Sequence, residues 1–258
     1  MSSEHWGRRP RDWADLAEPS NEPLFAEVLR RLGVGAGTRL LDVGCGSGYA
    51  AAMAAGLGAR MTGIDITPEL IAIARERVPD GDFRVGGMDD LPFDDASFDA
   101  IVGFNAFQFA DDPARAVSEA ARVVKPGGLV AATTFAEPER NESTALHLAL
   151  EPLRGAGPTP AQHLPYALSA RGGLEALLAG ARLETTESGE VPLAWEHQTV
   201  DGAVRAVLAS GGGAMAIEAA GEAAARAALE RAVVPFTCAD GSVSMRNVFR
   251  FAIARRGD

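Results

Sequence analysis

Two carboxylates and three glycines are spaced so that together they could bind a nucleotide-sized ligand. Asp42 ends an apolar run, glycines follow at positions 44, 46 and 48, and Asp65 ends the next apolar run. Glycine lets the backbone turn sharply and approach a ligand that any Cβ would block. The helix that begins after Gly48 directs free N–H groups into the same space. We therefore predict a nucleotide site at the carboxyl end of a parallel strand, where open α/β sheets bind ligands.

Asp65 has two interpretations. At the end of the second strand, one carboxylate could accept hydrogen bonds from both hydroxyls of a ribose. The simpler interpretation is an ordinary acidic residue at a strand end, and the glycine turn upstream favours the ribose.

Acid–base chemistry would have to come from the second half of the chain. His163 and His197 are the candidate general bases, and His147 lies in the same part of the sequence. For each histidine the simpler interpretation is a surface or packing residue. No pair of His or Cys and no acidic cluster has a spacing typical of metal ligands, so we predict no metal site.

The elements that position these residues alternate as strands and helices. Short apolar runs predict strands at Arg39–Val43, Arg60–Asp65, Phe83–Gly86, Phe98–Phe104, Leu129–Phe135, Arg182–Val191 and Arg246–Ala254. Apolar periodicity and capping residues predict helices at Pro23–Leu32, Gly48–Gly58, Thr67–Val78, Asp112–Val124, Ser143–Leu153, Ser169–Ala179, Gln198–Ser210 and Ala214–Val234, the last two separated by three glycines at 211–213. The pattern predicts an α/β fold: a seven-stranded, mostly parallel sheet with helices on both faces and a helical cap inserted among the late strands.

We predict one continuous domain with three parts. Residues 1–35 form an N-terminal helical segment, residues 36–135 the cofactor-binding core, and residues 136–258 the rest of the sheet with the helical cap. The simpler interpretation of the N-terminal segment is a helix that covers one face of the sheet. The alternative is that Trp13 and its neighbours fold over the ligand cleft as a lid.

Composition narrows the class of protein. The chain has 258 residues, a net charge of −11 and two cysteines, Cys45 and Cys238. An acidic surface repels phosphate backbones, so we predict no nucleic-acid partner. A cysteine inside a glycine turn argues against a disulfide framework and favours a reducing compartment. With no leader peptide and no membrane-spanning run, the sequence predicts a cytoplasmic protein.

Four motifs resemble class I S-adenosylmethionine-dependent methyltransferases, in the small-molecule branch that includes ubiquinone and menaquinone C-methyltransferases. They are LLDVGCGSG at 40–48, GIDIT at 63–67 with Pro68, DLPFDDASFDAIV at 90–102 and ARVVKPGGLV at 121–130. The resemblance covers residues 36–135. It implies a Rossmann-like fold, S-adenosylmethionine as cofactor and S-adenosylhomocysteine as product. The later part of the chain looks like the variable substrate cap of actinobacterial small-molecule methyltransferases.

The resemblance also implies roles for individual residues. Asp42 would face the methionine ammonium, Asp65 would hold the ribose diol, and Gly44 and Gly46 would let the backbone approach the cofactor. The other implied cofactor residues are Cys45, Ile66 against adenine, Met88 with its N–H toward adenine, Asp89, and Phe104 and Asn105 near the methyl group. The expected substrate pocket contains Trp13, Gln108, His163 and Tyr166.

Two positions depart from the family pattern. Gly87 stands where the family usually has an acid that accepts from the adenine amine, so Asp89 or a water is expected to replace that acid. Gln108 and Phe109 stand where relatives often carry histidine, so no general base can be carried over.

The resemblance implies methyl transfer to oxygen or carbon of a small, partly hydrophobic molecule by in-line displacement. One alternative is a relative that binds the cofactor as a scaffold or with a repurposed pocket. A nicotinamide dehydrogenase would also have a glycine turn and a later acid, but it does not predict Asp42 directly before the turn. Helices 198–234 could support a homodimer or serve as a cap within the chain.

Overall fold

A single seven-stranded sheet forms the centre of the computed structural model, which describes residues 2–154 and 165–257. The strand order is β3-β2-β1-β4-β5-β7-β6, and β7 runs antiparallel to both of its neighbours. The strands are β1 Arg39–Val43, β2 Arg60–Asp65, β3 Asp82–Val85, β4 Phe98–Gly103, β5 Val124–Phe135, β6 Leu183–His197 and β7 Val243–Arg256. The predicted fold class is confirmed.

Helices cover both faces of the sheet and build a cap beside its late strands. They are α1 Ser3–Gly7, α2 Pro10–Asp12, α3 Glu22–Arg31, α4 Tyr49–Gly56, α5 Pro68–Arg77, α6 Pro113–Val123, α7 Thr144–Leu150, α8 Gly173–Gly180, α9 Val200–Leu208, α10 Gly211–Ala220 and α11 Glu222–Val233. A π-helical turn, Trp13–Ala17, and a 3₁₀ turn, Glu18–Asn21, connect α2 to α3. The α7 helix lies between β5 and β6, and α9 to α11 lie between β6 and β7, so the cap is inserted among the late strands.

The order of the strands fixes where a ligand can bind. β1 pairs in parallel with β2 on one side and with β4 on the other. The connections from β1 to β2 and β3 therefore run toward one edge of the sheet, and the chain then crosses back to place β4 on the other side of β1. Asp42 pairs with Gly63 and Val43 with Ile64. The carboxyl ends of β1 and β2 are therefore neighbours beside the switch point, which lies between β1 and β4 and is where α/β folds open a crevice.

Three apolar clusters hold the layers together. One packs α3 and α4 against one face of the sheet, and the second packs α6 and α8 against the other. The third joins α7, α9, α10 and α11 around buried Leu146, Val204 and Leu229. The cap thus has a core of its own, because its helices bury their apolar faces against one another.

The late strands are longer than the sequence pattern predicts. β6 was expected to end at Val191, but it continues through Pro192 to His197, paired with β7 from Leu183↔Arg256 to His197↔Val243. Proline is tolerated there because β6 is the edge strand and its outer N–H groups need no partner. β5 begins at Val124, ahead of the Lys-Pro-Gly-Gly segment expected to separate helix from strand, and a register shift in its pairing with β4 accommodates the segment.

The last helical region also differs from the prediction. A continuous helix was expected over Ala214–Val234, preceded by a glycine break, but Gly211–Gly213 form the first turn of α10. The Ser210 hydroxyl caps this turn by accepting from the Gly213 N–H at 3.1 Å. The break comes instead at Gly221, whose φ of 85° is a left-handed conformation that glycine adopts without strain.

Among the described helices, none is both long enough and apolar enough to cross a bilayer.

Candidate functional site

A deep cleft opens at the carboxyl ends of β1, β2 and β4, beneath the N-terminal segment and beside the cap. Its walls come from widely separated parts of the described chain, from Trp6 to Met215. The structure brings nine of the ten predicted cofactor residues to this cleft: Asp42, Gly44, Cys45, Gly46, Asp65, Ile66, Met88, Phe104 and Asn105. Their individual roles remain predictions, and the geometry shows what each can do.

Two glycines of the turn, Gly44 and Gly46, form part of the floor of the cleft and need to be free of side chains. Gly44 and Gly46 have φ angles of 71° and 53°, which strain any residue with a Cβ. A Cβ on Gly44 would lie 2.7 Å from the Ala106 Cβ, and one on Gly46 would meet the Glu18 carboxylate. Both glycines are therefore required by conformation and by space.

Asp42 is buried at the end of β1, and its Oδ1 has no hydrogen-bond partner among the described residues. Burial, together with the nearby Glu18 and Asp65 carboxylates, raises the pKa of Asp42 to about 8. Burying an unpartnered carboxylate is costly unless a cation or a donor accompanies it. The site therefore fits a ligand that brings a positive charge to Asp42.

Asp65 closes the turn from the end of β2. Its Oδ2 accepts from the Gly46 N–H at 3.0 Å, and its Oδ1 accepts from the Thr67 N–H at 2.9 Å. Each oxygen retains a second lone pair for a ligand hydroxyl. Burial raises the pKa of Asp65, and the two backbone donors act against this rise.

Glu18 is a site residue that sequence reasoning missed. Its buried carboxylate accepts from the Ser47 N–H at 2.8 Å and from the Trp13 Nε1–H at 2.9 Å. Arg77 donates to its other oxygen at 2.8 Å. Burial raises the pKa of Glu18, and Ser47 and Arg77 oppose the rise. Glu18 lies in a segment with no periodic pattern, so nothing local in the sequence indicates its position.

Aromatic rings from the N-terminal segment line the mouth of the cleft. Trp13 packs edge to face on Trp6, with 4.9 Å between centroids, and Trp6 packs in the same way on Phe109 at 5.5 Å. All three rings line the cleft. The N-terminal segment thus contributes side chains to the cleft, and its role as a lid remains a prediction.

The end of β4 contributes Phe104 and Asn105. Asn105 has a φ of 50°, a left-handed conformation that few residues other than glycine and asparagine tolerate. Its N–H donates to the Thr133 Oγ1 at 2.9 Å, which holds this backbone in place. The two side chains therefore lie at a fixed position between the glycine turn and the cap.

The adenine side of the predicted cofactor site is open at Gly87. Gly86 and Met88 line the cleft, whereas Asp89 does not, although it was predicted to replace the missing acid. A Cβ on Gly87 would have no heavy atom within 4 Å. Burial and the neighbouring acids Asp111 and Asp112 raise the pKa of Asp89.

The structure brings only some of the predicted substrate residues to the cleft. Trp13 lines the cleft, but the structure does not bring Gln108 or Tyr166 to its surface, and His163 lies outside the described residues. Tyr166 instead packs behind the lining, with its ring 5.2 Å from Phe135. His197 is buried at the end of β6 and borders a separate depression with Glu196.

The N-terminal segment, the late strands and the cap add aromatic, polar, charged and aliphatic side chains that the sequence did not single out as substrate residues. They are Asn21, Phe25, Phe135, His147, Arg154, Trp195, Ser210 and Met215. Burial, with the charge of Arg154, lowers the pKa of His147 to about 4, so this imidazole is neutral at pH 7. Its Nε2 is buried without a hydrogen-bond partner in the described chain.

Within residues 2–154 and 165–257, no three His, Cys, Asp or Glu side chains are grouped so that they could hold a metal ion.

Comparisons with known proteins match the central part of the chain. A family model described as "Methyltransferase domain" matches residues 41–132. The chain is 40% identical over 114 residues to demethylmenaquinone methyltransferase of Tropheryma whipplei, covering 43% of this chain and 47% of that relative. It is 39% identical over 105 residues to ubiquinone biosynthesis O-methyltransferase of Xanthomonas oryzae pv. oryzae, covering 39% and 44%. The matched segment spans less than half the length of these curated relatives.

The fold itself recurs more widely. The solved structure of the [4+2]-cyclase SpnF superposes with a TM-score of 0.58 at 23% identity, covering 91% of this chain and 80% of that chain. At this identity the similarity shows a shared fold, and a shared fold does not determine the reaction.

Proposed function

Since the chain belongs, through its residues 41–132, to the class I S-adenosylmethionine-dependent methyltransferases, we propose that it transfers a methyl group from S-adenosylmethionine to a small, partly hydrophobic molecule. The acceptor atom would be oxygen or carbon, and the displacement would be in line. The observation that carries this proposal is Asp42, a buried carboxylate with an unpartnered oxygen at the glycine turn. The ammonium of the cofactor's methionine would supply the cation that this oxygen lacks.

The other residues of the cleft fit the rest of that cofactor. Asp65 offers lone pairs to the two ribose hydroxyls, Ile66 lies where adenine would pack, and Met88 borders the same region. Gly44 and Gly46 let the backbone approach the methionine part. When bound, the cofactor supplies a methyl group on a sulfonium leaving group, so the protein needs neither a nucleophile nor a metal.

The protein's contribution would be orientation and exclusion of water. Alignment of acceptor, methyl carbon and sulfur can supply roughly 7–11 kcal/mol of barrier lowering. The Trp6 and Trp13 rings would close the mouth, while Phe104 and Asn105 would border the transferred group. If the acceptor must lose a proton, neutral His147, which lines the same cleft, would be available to accept it.

Cofactor binding is the first test. Calorimetric titration with S-adenosylhomocysteine should give binding to the wild-type protein, and Asp65→Asn should weaken it by about 1.5–3 kcal/mol, the range for hydrogen bonds to charged groups. Asp94→Asn, at an exposed turn acid, is the matched control and should bind normally. No binding to the wild-type protein would end the proposal.

Transfer is the second test. Labelled methyl donor incubated with small-molecule extracts and the protein should give a labelled product that the Asp65→Asn variant forms more slowly. Cofactor binding without any labelled product would favour the alternative, a relative that uses the fold for a scaffold or another reaction.

We propose further that the protein works in the cytoplasm on small molecules rather than on nucleic acid. Both cysteines are unpaired, with Cys45 buried and Cys238 exposed, which suits a reducing compartment. The net charge of −11 disfavours a polyanionic partner. The side chains of Leu148 and Val234 are exposed, and the interface of a homodimer would bury them. Size-exclusion chromatography with light scattering would detect such a dimer.

A further inference from the structure

The charges that line the cleft are segregated. Three carboxylates, those of Glu18, Asp42 and Asp65, lie around the glycine turn on the sheet side. In the described part of the chain, the cleft has one lysine or arginine in its lining, Arg154, and it lies on the cap side. The sheet side therefore suits a cation and the cap side an anion.

Arg154 has no carboxylate partner in the described residues. It follows the 3₁₀ turn Glu151–Leu153, and its Nε is buried without a hydrogen-bond acceptor. Glu151 raises its pKa through space, but this acid is exposed and burial still lowers the pKa of the guanidinium overall. Residues 155–164 contain neither Asp nor Glu, so the sequence that follows supplies no carboxylate. Arg154 is half-buried, and a partly desolvated guanidinium gains stability when an anion pairs with it.

The surroundings of Arg154 add to its positive potential. Its Nη2 lies 2.6 Å from where a Cβ on Gly212 would be, so the guanidinium packs on the first turn of α10. Ser210 caps that turn through the Gly213 N–H, and both Ser210 and Gly212 line the cleft. The N-terminus of a helix carries partial positive charge. A cation placed against it is unfavourable unless an anion lies between or beside them.

The space next to this positive region is apolar and bounded by rings. Phe135 lies 5.8 Å from Trp195, centroid to centroid, and Phe25 lies 4.7 Å from Phe104. All four rings line the cleft. Such walls bury a flat hydrophobic body, while a few placed polar groups fix its orientation.

We propose that the methyl acceptor is a ring-containing, largely apolar acid, and that Arg154 with the first turn of α10 binds its carboxylate. The acceptor then lies between a cap that neutralises its anion and a sheet edge that holds the cationic cofactor. His147, neutral beside Arg154, offers an additional hydrogen bond to the acceptor. This inference rests on the proposed function, because it places the acceptor in the same cleft as the methyl donor.

The test compares ring acids with their own amides on protein saturated with S-adenosylhomocysteine. Benzoate, trans-cinnamate and 2-naphthoate are titrated alongside benzamide, cinnamamide and 2-naphthamide, with tryptophan fluorescence or calorimetry as the readout. At least one acid should bind about tenfold tighter than its amide, the low end for hydrogen bonds to a charged group. If no acid of the set binds better than its amide, the proposal is overturned.

Variants of Arg154 test whether this residue causes the preference for acids over amides. Arg154→Met should reduce the acid-over-amide ratio to near one, and Arg154→Lys should retain part of it. Arg171→Met removes an exposed arginine outside the cleft and should leave the ratio unchanged. Binding of S-adenosylhomocysteine by each variant shows that it is folded. A wild-type ratio that persists in Arg154→Met would overturn the assignment, whereas failure of the wild-type protein to bind S-adenosylhomocysteine would instead count against the proposed function.

Discussion

At the residue scale, the site differs most from the pattern of the family that it resembles on the predicted adenine side. Gly87 replaces an acid that the resemblance leads one to expect, and Asp89 does not reach the cleft. The position of Gly87 is not itself unusual, because its φ lies outside the left-handed region and a Cβ there would meet open space. A side chain at residue 87 is thus compatible with the backbone.

Gly87→Asp should therefore strengthen cofactor binding. A carboxylate at residue 87 would accept from the exocyclic amine of adenine, and we expect about a tenfold lower Kd for S-adenosylhomocysteine, the low end for such a hydrogen bond. Calorimetric titration measures it. Gly87→Ala adds only a Cβ and should bind as the wild type does. Equal affinities for the two variants would mean that adenine lies elsewhere.

At the scale of elements, one arginine connects the N-terminal segment to the glycine turn. Arg77 of α5 donates to Glu18 at 2.8 Å and to the Ala14 carbonyl at 2.7 Å. The same guanidinium donates to the Ser47 carbonyl at 3.1 Å. Arg77 thus joins the N-terminal segment, the turn and α5, and it supplies the counter-charge of a buried carboxylate.

Arg77→Met should be strongly destabilising. Removing one partner of a buried ion pair typically costs about 3–5 kcal/mol because the remaining charge stays buried. Denaturant unfolding monitored by circular dichroism gives the free energy of unfolding. The double variant Arg77→Met/Glu18→Gln should recover part of the loss, since a neutral amide is cheaper to bury.

Arg75→Met is the matched control on the same helix. Arg75 is exposed and donates to the Phe83 carbonyl rather than to the lid. Its loss should cost about 1 kcal/mol, a typical single hydrogen bond. Equal losses for the two variants would contradict a special role for the Arg77–Glu18 pair.

At the scale of the whole molecule, the cluster of buried carboxylates connects stability to pH. The pKa of Asp42 rises from its ordinary value of 3.8 to about 8 on folding, and burial also raises the pKa values of Glu18 and Asp65. At a pH between 3.8 and about 8, Asp42 is protonated in the folded protein and ionised in the unfolded chain. The free energy of unfolding contributed by Asp42 therefore falls as pH rises from about 4 to about 8.

For the ligand-free protein, this slope is about 1.4 kcal/mol per pH unit for one such group. Unfolding experiments at pH 6, 7 and 8 should show that Asp42→Asn loses less stability over this range than the wild type, because the amide does not titrate. Saturating S-adenosylhomocysteine should reduce the pH dependence of the wild-type free energy of unfolding, because its ammonium would pair with the Asp42 carboxylate. Parallel curves for wild type and variant would contradict the raised pKa of Asp42.

The sequence by itself determined the strands of the sheet and most of the residues that line the cleft at their carboxyl ends. The alternation of apolar runs and helices identifies the strands, and in a parallel sheet the carboxyl ends of neighbouring strands share one edge. Asp42, Asp65 and the glycine turn are each fixed by position relative to a strand end. Residues at the ends of neighbouring parallel strands lie close together, and this does not depend on the rest of the chain. Their spacing in the sequence was therefore sufficient to predict that they share one cleft.

Only the tertiary structure decided the partners of these residues and the character of the cap. Glu18 reaches Ser47 from 29 residues away, and Arg154 packs on Gly212 although α8, β6 and α9 lie between them in the sequence. The length of β6 depends on pairing with β7 rather than on its own composition. Such contacts arise from the way distant segments fold back on the sheet, and no local pattern of residue types encodes that path.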